Sequence, residues 1–179
     1  MAKPLQTEYP EGIYFSRYIE SVDNENVIET LKQNATFLEN FYKNLENKIQ
    51  NYKYAAGKWT LKEVLGHLTD TERIFCFRAL AIARGEKQSL PGFDENEYME
   101  FADFANQSLA SLLNQYKLCR LATLALFESF SEEVQSNMGT ANGKALTEIA
   151  LPLAVPILLC TSSENDSNNA KVAKRHSLY

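Results

Sequence analysis

One histidine stands in the first 175 residues, His67, within the stretch Gly57-Lys58-Trp59-Thr60-Leu61-Lys62-Glu63-Val64-Leu65-Gly66-His67-Leu68-Thr69-Asp70-Thr71-Glu72-Arg73. Thr60 and Glu63 carry the spacing of a capping box: the hydroxyl accepts from the Glu63 N–H while the carboxylate returns to the Thr60 N–H. A helix is therefore predicted to start after Thr60, with His67 about two turns in on a rigid element. A neutral imidazole held this way can ligate a metal or transfer a proton. A catalytic zinc site takes three protein ligands and keeps one open position, so His67 needs companions. His176, near the end of a polar tail, is the only other histidine. Asp70 lies one turn from His67, and Glu148 is the best-placed acid further along. The plainer reading of His67 is a core-edge histidine hydrogen-bonded to a neighbour.

Asp70, Glu72 and Arg73 read as a solvated face with short-range charge pairs, and Trp59 as a packing anchor rather than a substrate-stacking group. Tyr9, Tyr14, Phe15 and Tyr18 read as an arm packed on the body or as a pocket wall. No Ser-His-Asp set, phosphate-cradling glycine loop or EF-hand pattern is present.

Three amphipathic helices must position these groups. In the first, Ile28, Leu31, Ala35, Leu38, Tyr42, Leu45 and Ile49 alternate three and four, with Ser21 or Asp23 as cap. The second runs from Thr60 to Gly85, a residue suited to the left-handed position past a helix end. Its stripe is Leu61, Val64, Leu65, Leu68, Phe75, Ala79 and Ile82, with His67 at the edge. The third spans about Ser108 to Phe130 on Leu109, Leu112, Tyr116, Cys119, Thr123, Leu126 and Phe130. Glu86 to Asn106 is too long for a tight turn and predicts a crossover with a short helix within Glu95 to Phe104. Ser131 to Val134 predicts a short helical turn, and Gly139 to Lys144 a tight turn. A fourth helix is expected from Leu146, broken by Pro152 and Pro156. The expected architecture is all-α: a four-helix bundle whose fourth helix is disrupted. Residues 1–160 form one domain, and 161–179 a polar tail expected to be disordered.

The 179 residues suit one domain with a sizeable core. A net charge of −5 gives no basic field for nucleic acid. The longest apolar run, Ile149 to Cys160, contains two prolines and is well short of the roughly 20 residues a membrane span needs. Without an apolar leader at Met1 to Pro10, a cytoplasmic protein is expected. Cys76, Cys119 and Cys160 form no CxxC pair and read as small buried residues in a reducing compartment.

The 57–73 stretch, together with Tyr14-Phe15-Ser16-Arg17-Tyr18-Ile19, Arg78-Ala79-Leu80, Ala83-Arg84-Gly85, Leu90-Pro91-Gly92-Phe93-Asp94 and Gly139-Thr140-Ala141-Asn142-Gly143, resembles the DinB-like superfamily. The likeness covers roughly residues 9–147 and is nearest to its metal-dependent hydrolase branch. It implies a four-helix bundle with a long crossover, often dimeric, acting on a small-molecule substrate. It further implies nickel or zinc held by one histidine on the second helix and an HxxxH pair on the fourth. Some relatives are thiol-dependent transferases. His67 matches the first ligand, and the pair has no counterpart, so an incomplete metal site is expected. Two other outcomes are a non-catalytic bundle serving as a binding or interaction module, and a damaged product with an exposed groove. Read one base later, permitted codons for Thr161 to Ala170 spell a segment resembling the family's closing helix, which suggests a frameshifted C-terminus.

Overall fold

The computed structural model describes residues 1–9, 19, 26–45, 49–53 and 55–147. Among them, three long helices build the body: α1 (Val27–Lys43), α2 (Leu61–Ala83) and α4 (Leu109–Glu128). Two short helices, α3 (Glu95–Phe101) and α5 (Glu132–Gln135), lie where the sequence predicted short helical turns. Each long helix starts at a residue able to hold its open N–H groups. Asn26, rather than Ser21 or Asp23, caps α1, accepting from the Ile28 and Glu29 N–H groups. Thr60 and Glu63 close the expected capping box on α2, and Ser108 caps α4.

At the far end of α2, Gly85 takes φ +83°. Its N–H donates to the Ile82 carbonyl, and the Glu86 N–H donates to that of Ala81, both at 2.9 Å. This is a Schellman closure, and its left-handed residue is best supplied by glycine.

α4 packs against both α1 and α2. Apolar burial is split between two clusters. One gathers Leu38, Tyr42, Leu61, Leu65, Leu68 and Tyr116. The other gathers Phe75, Ala79, Ile82, Phe127, Phe130 and Leu146. The buried face of α4 carries Leu113, Arg120, Leu124 and Phe127 alongside Leu112, Tyr116 and Thr123. It is thus turned away from the predicted stripe, which placed Cys119 and Leu126 at its centre; both are only half-buried.

The predicted crossover runs along α2 in the opposite direction. Near its start Pro91 accepts a hydrogen bond from Arg78, and near its end Ala105 accepts one from Lys62. Between these points Phe104 lies over Gly66, where any Cβ would overlap its ring. Gly66 is the close-approach point that lets the crossover seat on the helix.

The expected turn at Gly139–Lys144 is the tip of a two-stranded antiparallel hairpin, β1 (Met138–Ala141) and β2 (Lys144–Thr147). Asn142 and Gly143 both have positive φ, +50° and +71°, matching the right-handed strand twist. Leu90 extends the pairing through its N–H to the Thr140 carbonyl at 2.8 Å. This small sheet sits beside a body that is otherwise helical, as the all-α reading expects. The fourth helix predicted from Leu146 meets strand there instead, because Leu146 and Thr147 pair with Gly139 and Met138. The rest of that predicted helix, with Glu148, Pro152 and Pro156, lies outside the described residues, as does the tail from residue 161 with His176. Tyr9 is buried, while Tyr14, Phe15 and Tyr18 fall outside the description. No described helix is long and apolar enough to cross a membrane.

Candidate functional site

His67 projects from the second turn of α2 and is half-buried. The capping box beneath it is well formed: the Glu63 N–H donates to Thr60 Oγ1 at 3.1 Å, and the Thr60 N–H donates to Glu63 Oε2 at 2.6 Å. The Trp59 ring, on the residue before the cap, lies 4.8 Å from the imidazole centroid at an interplanar angle of 50°. Trp59 also packs against the first apolar cluster, so it is the anchor the sequence suggested and one wall of the histidine's surroundings. On the next turn Thr71 Oγ1 stands 3.4 Å from His67 Nε2, a long hydrogen bond. The ring is thus positioned from both sides, with a hydrogen-bonding neighbour as the plainer sequence reading expects.

The acids within a turn of His67 serve other partners. Glu63 closes the cap and lies 3.5 Å from Lys53 Nζ. Asp70 accepts from Arg73 Nη1 at 2.8 Å. That ion pair is the surface pair predicted for this stretch. Among the described residues no group of three or more His, Cys, Asp or Glu side chains could hold a metal ion. The whole sequence contains two histidines, so a three-histidine centre within one chain is excluded by composition. The described surroundings of His67 therefore do not fit the three-histidine site implied by resemblance.

Glu72 departs most sharply from expectation. It is not part of a solvated face: its side chain is 2 % exposed and faces an equally buried Arg120 on α4. Arg120 donates from Nε to Glu72 Oε1 at 2.7 Å and from Nη2 to Oε2 at 2.9 Å, a bidentate pair. Its Nη1 reaches the Leu31 carbonyl of α1 at 2.8 Å. Thr123 Oγ1 donates to Glu72 Oε1 at 2.6 Å. The Cys76 thiol lies 3.1 Å from that hydroxyl; since the hydroxyl proton goes to Glu72, the thiol is the donor. Burial opposes the Arg120 charge, but the Glu72 carboxylate more than offsets it and raises its pKa. This network lies between the two apolar clusters and ties α1, α2 and α4 together. Sequence reasoning missed Arg120, whose signal was a lone arginine among apolar neighbours on a buried helix.

Cys76 and Cys119 are half-buried rather than the small buried residues expected, and Cys160 lies outside the described residues. Cys76 and Cys119 are unpaired thiols, and burial pushes them up to about 11 and about 12 respectively. At neutral pH both are thiols, poor nucleophiles and poor ligands.

Long helices in this arrangement, a strap-like crossover and a histidine on the second of them define the DinB class of helical bundle. The chain belongs to the DinB superfamily, whose family model matches residues 29–151. Among solved structures it is similar to YfiT from Bacillus subtilis, described as a probable metal-dependent hydrolase with an unusual four-helix bundle topology. The two share 18 % identity at a TM-score of 0.65, over 86 % of this chain and 83 % of YfiT. It is also similar to a mycothiol-dependent maleylpyruvate isomerase, with 13 % identity and a TM-score of 0.62, over 79 % of this chain. The match spans 60 % of the isomerase's length. At these identities the likeness establishes the fold. No curated protein matches the sequence.

Proposed function

We propose that this chain is a cytoplasmic protein of the metal-dependent hydrolase or thiol-dependent transferase lineage of DinB proteins, acting on small molecules, with an incomplete metal site. His67 is the residue retained from the nickel or zinc centre. The reading draws on the YfiT-like fold and on the place of His67 in a capped, rigid second helix. The observation that carries it is compositional: two histidines in the whole chain cannot supply three imidazoles. The described acids within a turn of His67 do not make up the difference, because Glu63 and Asp70 are held by the helix cap and by Arg73. This chain's own contribution is an imidazole fixed between Trp59 and Thr71.

Metal content of the purified full chain tests this directly. Well below one nickel or zinc per chain is expected after gel filtration without chelator. One metal per chain, lost on His67→Ala, would show that the centre is complete.

A further inference from the structure

Beyond the histidine, α2 carries a second concave feature. Where the crossover begins, Pro91, Phe93 and Tyr98 stand over the outer face of the helix and enclose a cleft of about 330 Å³ with Ile74, Phe77 and two arginines. That volume lies at the lower end of the range for small-molecule sites. Its walls are largely aromatic: the Phe93 and Tyr98 rings are 5.2 Å apart, and Phe77 is 58 % exposed. Its charged lining side chains are Arg73 and Arg78, of which Arg73 is ion-paired with Asp70.

The two arginines differ in how they are held. Arg78 is buried, donates from Nη2 to the Pro91 carbonyl at 2.6 Å, and has its guanidinium carbon 5.4 Å from the Phe75 centroid and 5.6 Å from that of Phe93. It is a fixed positive element of the wall. Arg73 is half-exposed; one N–H meets Asp70 at 2.8 Å and another meets Gln115 at 3.5 Å. A guanidinium has five N–H donors, so Arg73 can turn a charge-assisted pair toward a ligand at the mouth of the cleft.

We propose that this cleft binds a small aromatic carboxylate, its ring between Phe77 and the Phe93–Tyr98 pair and its carboxylate on Arg73. Apolar walls favour the ring, and the remaining N–H donors of the Arg73 guanidinium favour the anion over its neutral analogue. His67 does not line the cleft, so the binding stands independently of any metal.

The probe is 2-naphthoate, titrated into the isotope-labelled full chain and followed by amide NMR, with 2-naphthamide as the neutral control. Saturable shifts confined to residues 73–78 and 91–98 are expected. Arg73→Ala should weaken binding about tenfold, the loss expected of one charge-assisted hydrogen bond, with Arg73→Lys between it and the parent. Phe77→Ala should weaken it as well; both positions are exposed, so the fold is retained. Equal affinity for naphthamide, unsaturable shifts across the surface, or unchanged affinity in Arg73→Ala would each overturn the proposal.

Discussion

A bidentate ion pair that excludes water is costly to assemble and far more costly to halve. Arg120→Ala leaves the Glu72 carboxylate buried with only Thr123 to satisfy it. A loss of about 3–5 kcal/mol of stability is expected, measured by urea denaturation. Replacing both Glu72 and Arg120 by leucine should cost less than Arg120→Ala alone, because no orphaned charge remains; a larger loss would contradict that account of the pair. The thiols give a prediction with a definite sign. Their folded pKa values are raised, from an ordinary 9.0 to about 11 for Cys76 and about 12 for Cys119. The folded state then holds protons that the unfolded state releases, so their contribution is intact below pH 9 and declines as pH climbs toward 12. A thermal melt series from pH 8 to 11 should show a shallower decline in the Cys76→Ala/Cys119→Ala double variant than in the parent. A thiol reagent at pH 8 should react much more slowly with the native protein than with the denatured one.

At the scale of elements, most of the architecture was legible because it rests on periodicity and caps. Thr60 with Glu63 located the start of α2, and Gly85 located its end. Long apolar stripes found α1 and α4, and the length of the 86–106 connection announced a crossover. The rotation of α4 was hidden because its buried face includes Arg120, which any hydropathy pattern counts as solvent-facing, while Leu118 and Leu121 are about 60 % exposed. The hairpin was half-read: Asn142-Gly143 marked a turn, yet the strands flanking it are four residues each, too short for alternation to stand out. The α2–crossover contact offers a test in which helix propensity and packing disagree. Alanine at an interior helix position ordinarily stabilises by up to about 1 kcal/mol relative to glycine. At Gly66 the new methyl would strike the Phe104 ring. Gly66→Ala is therefore expected to destabilise by about 1–3 kcal/mol, the usual range for overpacking, and Gly66→Ala/Phe104→Leu to recover part of that loss. Stabilisation by the single change would show that the crossover does not seat there.

For the whole molecule, the fold and the candidate site diverge. The DinB superfamily model matches residues 29–151. His67 was legible because a rare residue type sat in a strongly capped helix; the paired network around Glu72 was not, because its partners are 48 and 51 residues away in sequence. We propose a homodimer as the working state, with exposed Leu118 and Leu121 on α4 as an apolar face suited to a second copy. Sedimentation equilibrium should give a dimer, and Leu118→Glu/Leu121→Glu a monomer. The C-terminal sequence is proposed to descend from a shifted reading frame, and sequencing the coding DNA from codon 140 onward reads that out. The decisive measurement is a competition titration of zinc and nickel into the full chain with a chromophoric chelator. A centre short of its third imidazole predicts no site tighter than about 10 µM, roughly −7 kcal/mol. A nanomolar site at one metal per chain, abolished by His67→Ala, would contradict the reading of this protein as a DinB bundle with an incomplete centre.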